Sequence, residues 1–247
     1  SIRGLSKSFR KIEKGGAISE RFLQFFNIGK LKRIEVLQSL SIDIKKGEFI
    51  GIIGKNGSGK STFLKLIQGC IDGDKGSIIE SNGKIVRLAL GIGFDPNLSA
   101  RDNIYLNGTI LGLTFKQIGD KLEEIISFAE LKNFIDTPIR YYSSGMKSRL
   151  SFAIALHAEA DIFLIDEFFG GVGDENFKKK SDSIFSNRLI SGKTVVFVSH
   201  FMDLIQKNCN RLLVIDQGVG HLFEDVDEGI AFYKNSIKTT DKIPEYG

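Results

Sequence analysis

The chain has 247 residues, 42% of them hydrophobic and 26% charged, a length and composition that suit one large globular domain with room for a lobe-like subdomain and fit two full domains poorly. Its 34 basic and 30 acidic residues give a net charge of +4, too small an excess to indicate nucleic acid and equally compatible with weak attraction to an anionic membrane face. No apolar run long enough for a membrane span and no signal peptide occur, and Cys70 and Cys209 show neither metal-ligand spacing nor a disulfide framework, so a reducing, cytosolic setting is expected.

Ile2 to Phe9 reads as a strand. A basic, irregular insert runs from Arg10 to Arg33, and within it Ile18, Phe22, Phe25 and Phe26 recur at helical spacing. Ile34 to Ile44 returns to strand-like alternation, and Lys45-Lys46-Gly47 makes a turn. Phe49 to Ile53 reads as a buried strand and Ser61 to Gln68 as a helix, followed by strand-like pieces near Ile78 and Ile85. Ala100 to Phe134 is helical in pattern, with an apolar stripe of Ile118, Leu122, Ile125, Ile126 and Ala129. A further helix is expected over Lys147 to Ala158, then buried strands at Ile162–Ile165, Thr194–Val198 and Leu212–Ile215, and a last helix over Asp227–Ile237. Strands alternating with helices predict an α/β fold: a mostly parallel central sheet, an antiparallel β part, and a helical subdomain inserted at about 100–159.

The loop Gly54-Lys55-Asn56-Gly57-Ser58-Gly59-Lys60-Ser61 has the G-x4-G-K-S spacing of a phosphate loop, between an apolar strand and a helix that continues with Thr62. Glycines let backbone N–H groups approach phosphates, and the helix N-terminus adds partial positive charge. Lys60 is placed to reach the β- and γ-phosphates of ATP, and the Ser61 hydroxyl to bind Mg²⁺. Asp161-Ile-Phe-Leu-Ile-Asp166-Glu167 is a second acidic site. Its four apolar residues make a strand buried on both faces, so Asp166 emerges at the carboxyl end, where ligands bind in open α/β sheets. Asp166 is a candidate to hold Mg²⁺ through water, and Glu167 to orient or deprotonate the attacking water.

Tyr142-Ser143-Ser144-Gly145-Met146-Lys147 precedes a helix just upstream of that strand, and Val196-Phe197-Val198-Ser199-His200 follows it. With the phosphate loop, these segments resemble ABC ATPases over nearly the whole chain. The resemblance implies that Ser143, Ser144 and Gly145 form a signature loop acting in trans on the ATP of a second subunit. It implies that His200 contacts the γ-phosphate and helps hold Glu167, and that Phe9 stacks on adenine; a plain sheet-core role for Phe9 stays open. Two departures stand out. The segment Leu88 to Phe94 lacks the family's glutamine, and the loop Phe168 to Asp174 is one residue longer than usual before its Asp.

The segment Gly91 to Gly108, the motif Tyr141 to Met146, and Val172-Gly173-Asp174-Glu175-Asn176-Phe177 resemble the polysaccharide-export branch of that family. This resemblance implies a homodimer of ATPase subunits, peripheral on the cytoplasmic face of the plasma membrane. A separate integral-membrane permease would handle an O-antigen, capsule or teichoic-acid polymer; no nucleic acid is involved, and no carbohydrate-binding domain is expected at the C-terminus. The insert at 10–33 suits a membrane-side helix, with a core role for its phenylalanines equally open. Alternatives are an ABC importer ATPase, a non-transport ABC ATPase, or a P-loop kinase or GTPase.

Overall fold

A computed structural model describes residues 1–10, 33–88, 93–166, 177 and 191–240. The insert from 11 to 32, Glu167 and the loop around Asp174 lie outside the described residues. The strands are β1 (Ile2–Arg10), β2 (Arg33–Ile42), β3 (Phe49–Ile53), β4 (Ile78–Ile79), β5 (Ile85–Leu88), β6 (Ile162–Asp166), β7 (Thr194–Val198), β8 (Arg211–Asp216) and β9 (Val219–Phe223). The helices are α1 (Lys60–Ile67), α2 (Ala100–Ile110), α3 (Phe115–Ala129), α4 (Ser144–Ala155), α5 (Met202–Asn208) and α6 (Val226–Thr240).

Six strands form one sheet in the order β5-β6-β7-β3-β8-β9, parallel except for β9, which pairs antiparallel with β8. A second sheet, β2-β1-β4, is antiparallel. All five residues of β7 are buried, as expected of a strand covered on both faces. Alternate residues therefore feed two cores. Val196 and Val198 point with Ile50, Ile52 and Leu164 into a core shared with Leu5, Leu37 and Leu40 of the antiparallel sheet and Phe63 and Leu64 of α1. Val195 and Phe197 point the other way with Phe163 and Ile165, into a core shared with Ile104, Ile118, Ile125 and Phe152 of α2, α3 and α4. Helix α1 is thus held between the two sheets, which fixes the loop at its start.

The helical region differs from the sequence expectation within the Ala100–Phe134 block and at both ends of α4. The block expected from Ala100 to Phe134 breaks at Leu111–Thr114, where Gly112 adopts φ +87°. Thr114 and Gln117 form a capping box that starts α3 afresh. Helix α4 begins at Ser144, three residues before the expected Lys147, because the Ser143 hydroxyl accepts from the Met146 N–H and caps it. It also ends earlier, at Ala155. The expected Ile118, Ile125, Ile126 and Ala129 are buried.

Candidate nucleotide-binding site

The site follows from strand register. Across β3, β7 and β6, Ile52 pairs with Val198 and Val198 with Asp166. Because the three strands are parallel, the segments that follow leave the sheet on one rim: the loop from Gly54, the turn at Ser199-His200, and Asp166 itself. They meet at a cleft of about 190 Å³ lined by Val36, Asn56, Gly57, Gly59, Lys60, Ser61, Thr62, Asp166 and His200.

The loop is shaped for backbone donors. Gly59 stands at the N-cap of α1 with φ +111° and ψ 0°, backbone that side-chain-bearing residues rarely adopt. A Cβ on Gly54 would collide with the carbonyl oxygen of Ile215, so the chain there runs against β8 with no space for a side chain. The first-turn N–H groups of α1 have no acceptor within the helix, no side chain caps them, and no acidic residue stands in the first turn. The Ser58 hydroxyl is buried and has no hydrogen-bond partner among the described residues. These features fit an anion with several oxygens, such as the phosphates of a nucleotide.

Lys60 is 8% exposed, and its ammonium donates to the carbonyls of Gly54 at 2.6 Å and Lys55 at 2.9 Å. The side chain therefore arches over the loop it belongs to. Ser61 and Asp166, both on the cleft wall, supply the hard oxygen donors that suit Mg²⁺. The Asp166 carboxylate is engaged by Arg87 of β5, with Nη2 to Oδ2 at 2.6 Å. His200 is exposed at the cleft. Its direction is set by Ser199, a buried residue whose hydroxyl accepts from the Phe201 N–H at 3.0 Å and tightens the turn between them.

Not every expected residue is at the cleft. Ser143, Ser144 and Gly145 form the start of α4 and do not line it; both serines face solvent. Phe9 does not line it either. It sits half exposed on β1, paired with Ile34, with the Lys7 ammonium 5.5 Å from its ring centroid. Two residues that sequence reasoning passed over are present: Val36 of β2 on the cleft wall and Arg87 on Asp166. The turn before α4 is pinned to the segment before α2. The N–H groups of Ile139 and Arg140 donate to the carbonyls of Leu98 and Pro96, and Tyr142 is buried with its hydroxyl on the Phe134 carbonyl at 2.6 Å. Burial raises the Tyr142 phenol above its ordinary pKa, so it stays a neutral donor. Asn103 is fully buried, and its amide donates to the carbonyls of Asp95, Leu98 and Ser99, fixing the segment that leads into α2.

A family model for the ABC transporter matches residues 37–170, more than half of the chain. The chain belongs to the ABC transporter family. It is 43% identical over 244 residues to the O-antigen export system ATP-binding protein RfbB of Myxococcus xanthus, covering 96% of this chain but only 55% of that protein. The Klebsiella pneumoniae protein of the same name is 39% identical over 86% of each chain. The teichoic acids export ATP-binding protein TagH of Lactococcus lactis is 39% identical over 85% of this chain and 44% of its own. Among solved structures, an ATP-binding subunit of an ABC transporter superposes with a TM-score of 0.69 at 19% identity, covering 94% of this chain and 92% of its own. A dimeric ATP-binding cassette bound to ADP and phosphate superposes with 0.64 at 22%, covering 90% and 97%. At that identity the likeness establishes the ABC ATPase fold. Among the described residues, no helix of this ABC family member is long and apolar enough to cross a membrane.

Proposed function

We propose that this chain is the ATP-binding and ATP-hydrolysing subunit of an exporter of a cell-surface polysaccharide. It works as a pair of ATPase subunits at the cytoplasmic face of the membrane, beneath a separate membrane-spanning partner. The observation that carries the catalytic part is the common rim shared by the phosphate loop, Asp166 and His200. Support for the export part comes from relatives named for O-antigen and teichoic-acid export.

In this reading the N–H groups of the loop and the start of α1 cradle the phosphates, and the Lys60 ammonium moves from its own loop carbonyls to the β- and γ-phosphate oxygens. Ser61, and Asp166 through water, would hold Mg²⁺, which when bound neutralises charge on the transferring phosphoryl group. Glu167, the residue after Asp166, takes the proton of the attacking water. His200, also on the cleft lining, contacts the γ-phosphate. Ser143 and Gly145, which do not line the cleft of their own chain, present the start of α4 to the nucleotide of the second subunit.

The test is phosphate release by the purified chain with ATP and Mg²⁺. Glu167→Gln should lower turnover by about 10²–10⁴-fold, the usual contribution of a general base, while nucleotide binding persists. Hydrolysis at the wild-type rate would remove Glu167 from that role. Deletion of the gene should deplete surface polysaccharide; loss of a solute uptake system with normal polysaccharide would overturn the export reading.

A further inference from the structure

Asp166 is claimed by two cations. The reading above gives it to a divalent metal, yet in the folded chain its carboxylate is held by Arg87 at 2.6 Å. The pair is no loose surface contact, since the two side chains are only 19% and 18% exposed. It arises from topology. Strand β5 runs parallel to β6 with Leu88 beside Ile165, so Arg87 comes from the neighbouring strand's end and reaches along the rim to Asp166. Among the described residues the buried Arg87 Nε finds no partner, so they satisfy the guanidinium fork only in part.

We propose that Arg87 is a guard cation of the nucleotide site. It neutralises Asp166 while the site is empty and yields the carboxylate when magnesium and a nucleoside triphosphate enter, so the metal's apparent affinity is set by competition with the arginine. A carboxylate desolvated at the sheet rim without a counterion would destabilise the empty fold, and Arg87 supplies that counterion. Two cations on one carboxylate repel one another, so occupancy by the metal weakens the arginine's hold. The inference rests on the assignment of Asp166 to the metal.

Binding of ATP to the full chain, measured by calorimetry from EDTA up to millimolar MgCl₂, tests it. Arg87→Gln keeps the side chain's polarity and removes the charge. It should lower the Mg²⁺ midpoint by about tenfold, the factor by which a hydrogen bond to a charged group of ordinary strength holds its partner. The melting temperature without ligand should fall, and the rise on adding MgCl₂ and ATP should exceed that of the wild type. Arg87→Lys, which keeps a cation but loses the planar fork, should shift the midpoint less and in the same direction; it also serves if the glutamine variant does not fold. An unchanged midpoint in either variant would make the pair a structural ion pair and overturn the proposal. A raised midpoint would make Arg87 a nucleotide ligand and overturn it too. If the wild type binds no ATP at any Mg²⁺ concentration, the nucleotide-site reading itself has failed, a result distinguishable from both.

Discussion

The carbonyl oxygen of Val36 lies 2.8 Å from the position that a Cβ on Gly59 would occupy. Strand β2 is therefore pressed against the phosphate loop, and the loop's shape depends on a residue more than twenty positions upstream in the antiparallel sheet. Gly57 provides the contrast, since its φ is also positive, +80°, but a Cβ there meets nothing within 4 Å. Gly57→Ala should cost only the strain of left-handed backbone, about 1 kcal/mol. Gly59→Ala must also displace β2 and should cost about 3 kcal/mol or more, with ATP binding lost. Urea denaturation of the two variants ranks them; equal costs would mean that the contact with Val36 relaxes freely.

The signature residues give a prediction about assembly. Ser143 and Gly145 stand at the start of α4, outside the cleft of their own chain, so a site that uses them needs a second copy. Glu167→Gln, which blocks turnover, should double in mass on adding ATP by light scattering. Adding Gly145→Asp to that variant should keep it monomeric, because a carboxylate would face the phosphates of the other subunit. A dimer that forms equally well with the aspartate would place the interface elsewhere.

The cysteines should separate by reactivity. Cys70 is exposed, whereas Cys209 lies among Ile205, Leu212 and Gly51, and burial pushes its thiol up to about 12 from an ordinary 9.0. The thiolate is the reactive form, so a raised value keeps Cys209 protonated and inert through neutral and mildly alkaline pH. Iodoacetamide at pH 8 should label Cys70 in the folded chain, and both residues only after unfolding. Rapid labelling of Cys209 in the native protein would contradict its packing.

Much of this site was legible in the sequence because its chemistry depends on local spacing. The loop from Gly54 to Ser61 carries its strand, its turn and its helix in one stretch, and Asp166 is announced by the four apolar residues before it. Val36 and Arg87 were not legible, because both act across long sequence separations: Val36 lines the cleft through the packing of β2 against the loop at Gly59, and Arg87 reaches Asp166 through the pairing of β5 with β6. Strand β9 was missed because Gly220 and His221 interrupt its apolar pattern, although it pairs regularly with β8. Helix α4 starts at Ser144, earlier than Lys147, because a cap at Ser143 draws Ser144 and Gly145 into its first turn. The single block expected over Ala100–Phe134 hid a turn at Gly112, a residue that an amphipathic pattern alone tolerates inside a helix.

Calorimetric titration of ATP into the purified chain with Mg²⁺ decides whether the cleft lined by Lys60 binds ATP. Lys60 lines that cleft and donates to the carbonyls of Gly54 and Lys55, so its ammonium stands where it can turn to an incoming phosphate. The wild type should bind ATP saturably, one per chain. Lys60→Ala should weaken that binding by about tenfold or more, as expected for losing a charge-assisted contact to phosphate. Saturable binding of equal affinity in the two proteins would remove Lys60 from the site, and no binding by the wild type would contradict the assignment of the cleft.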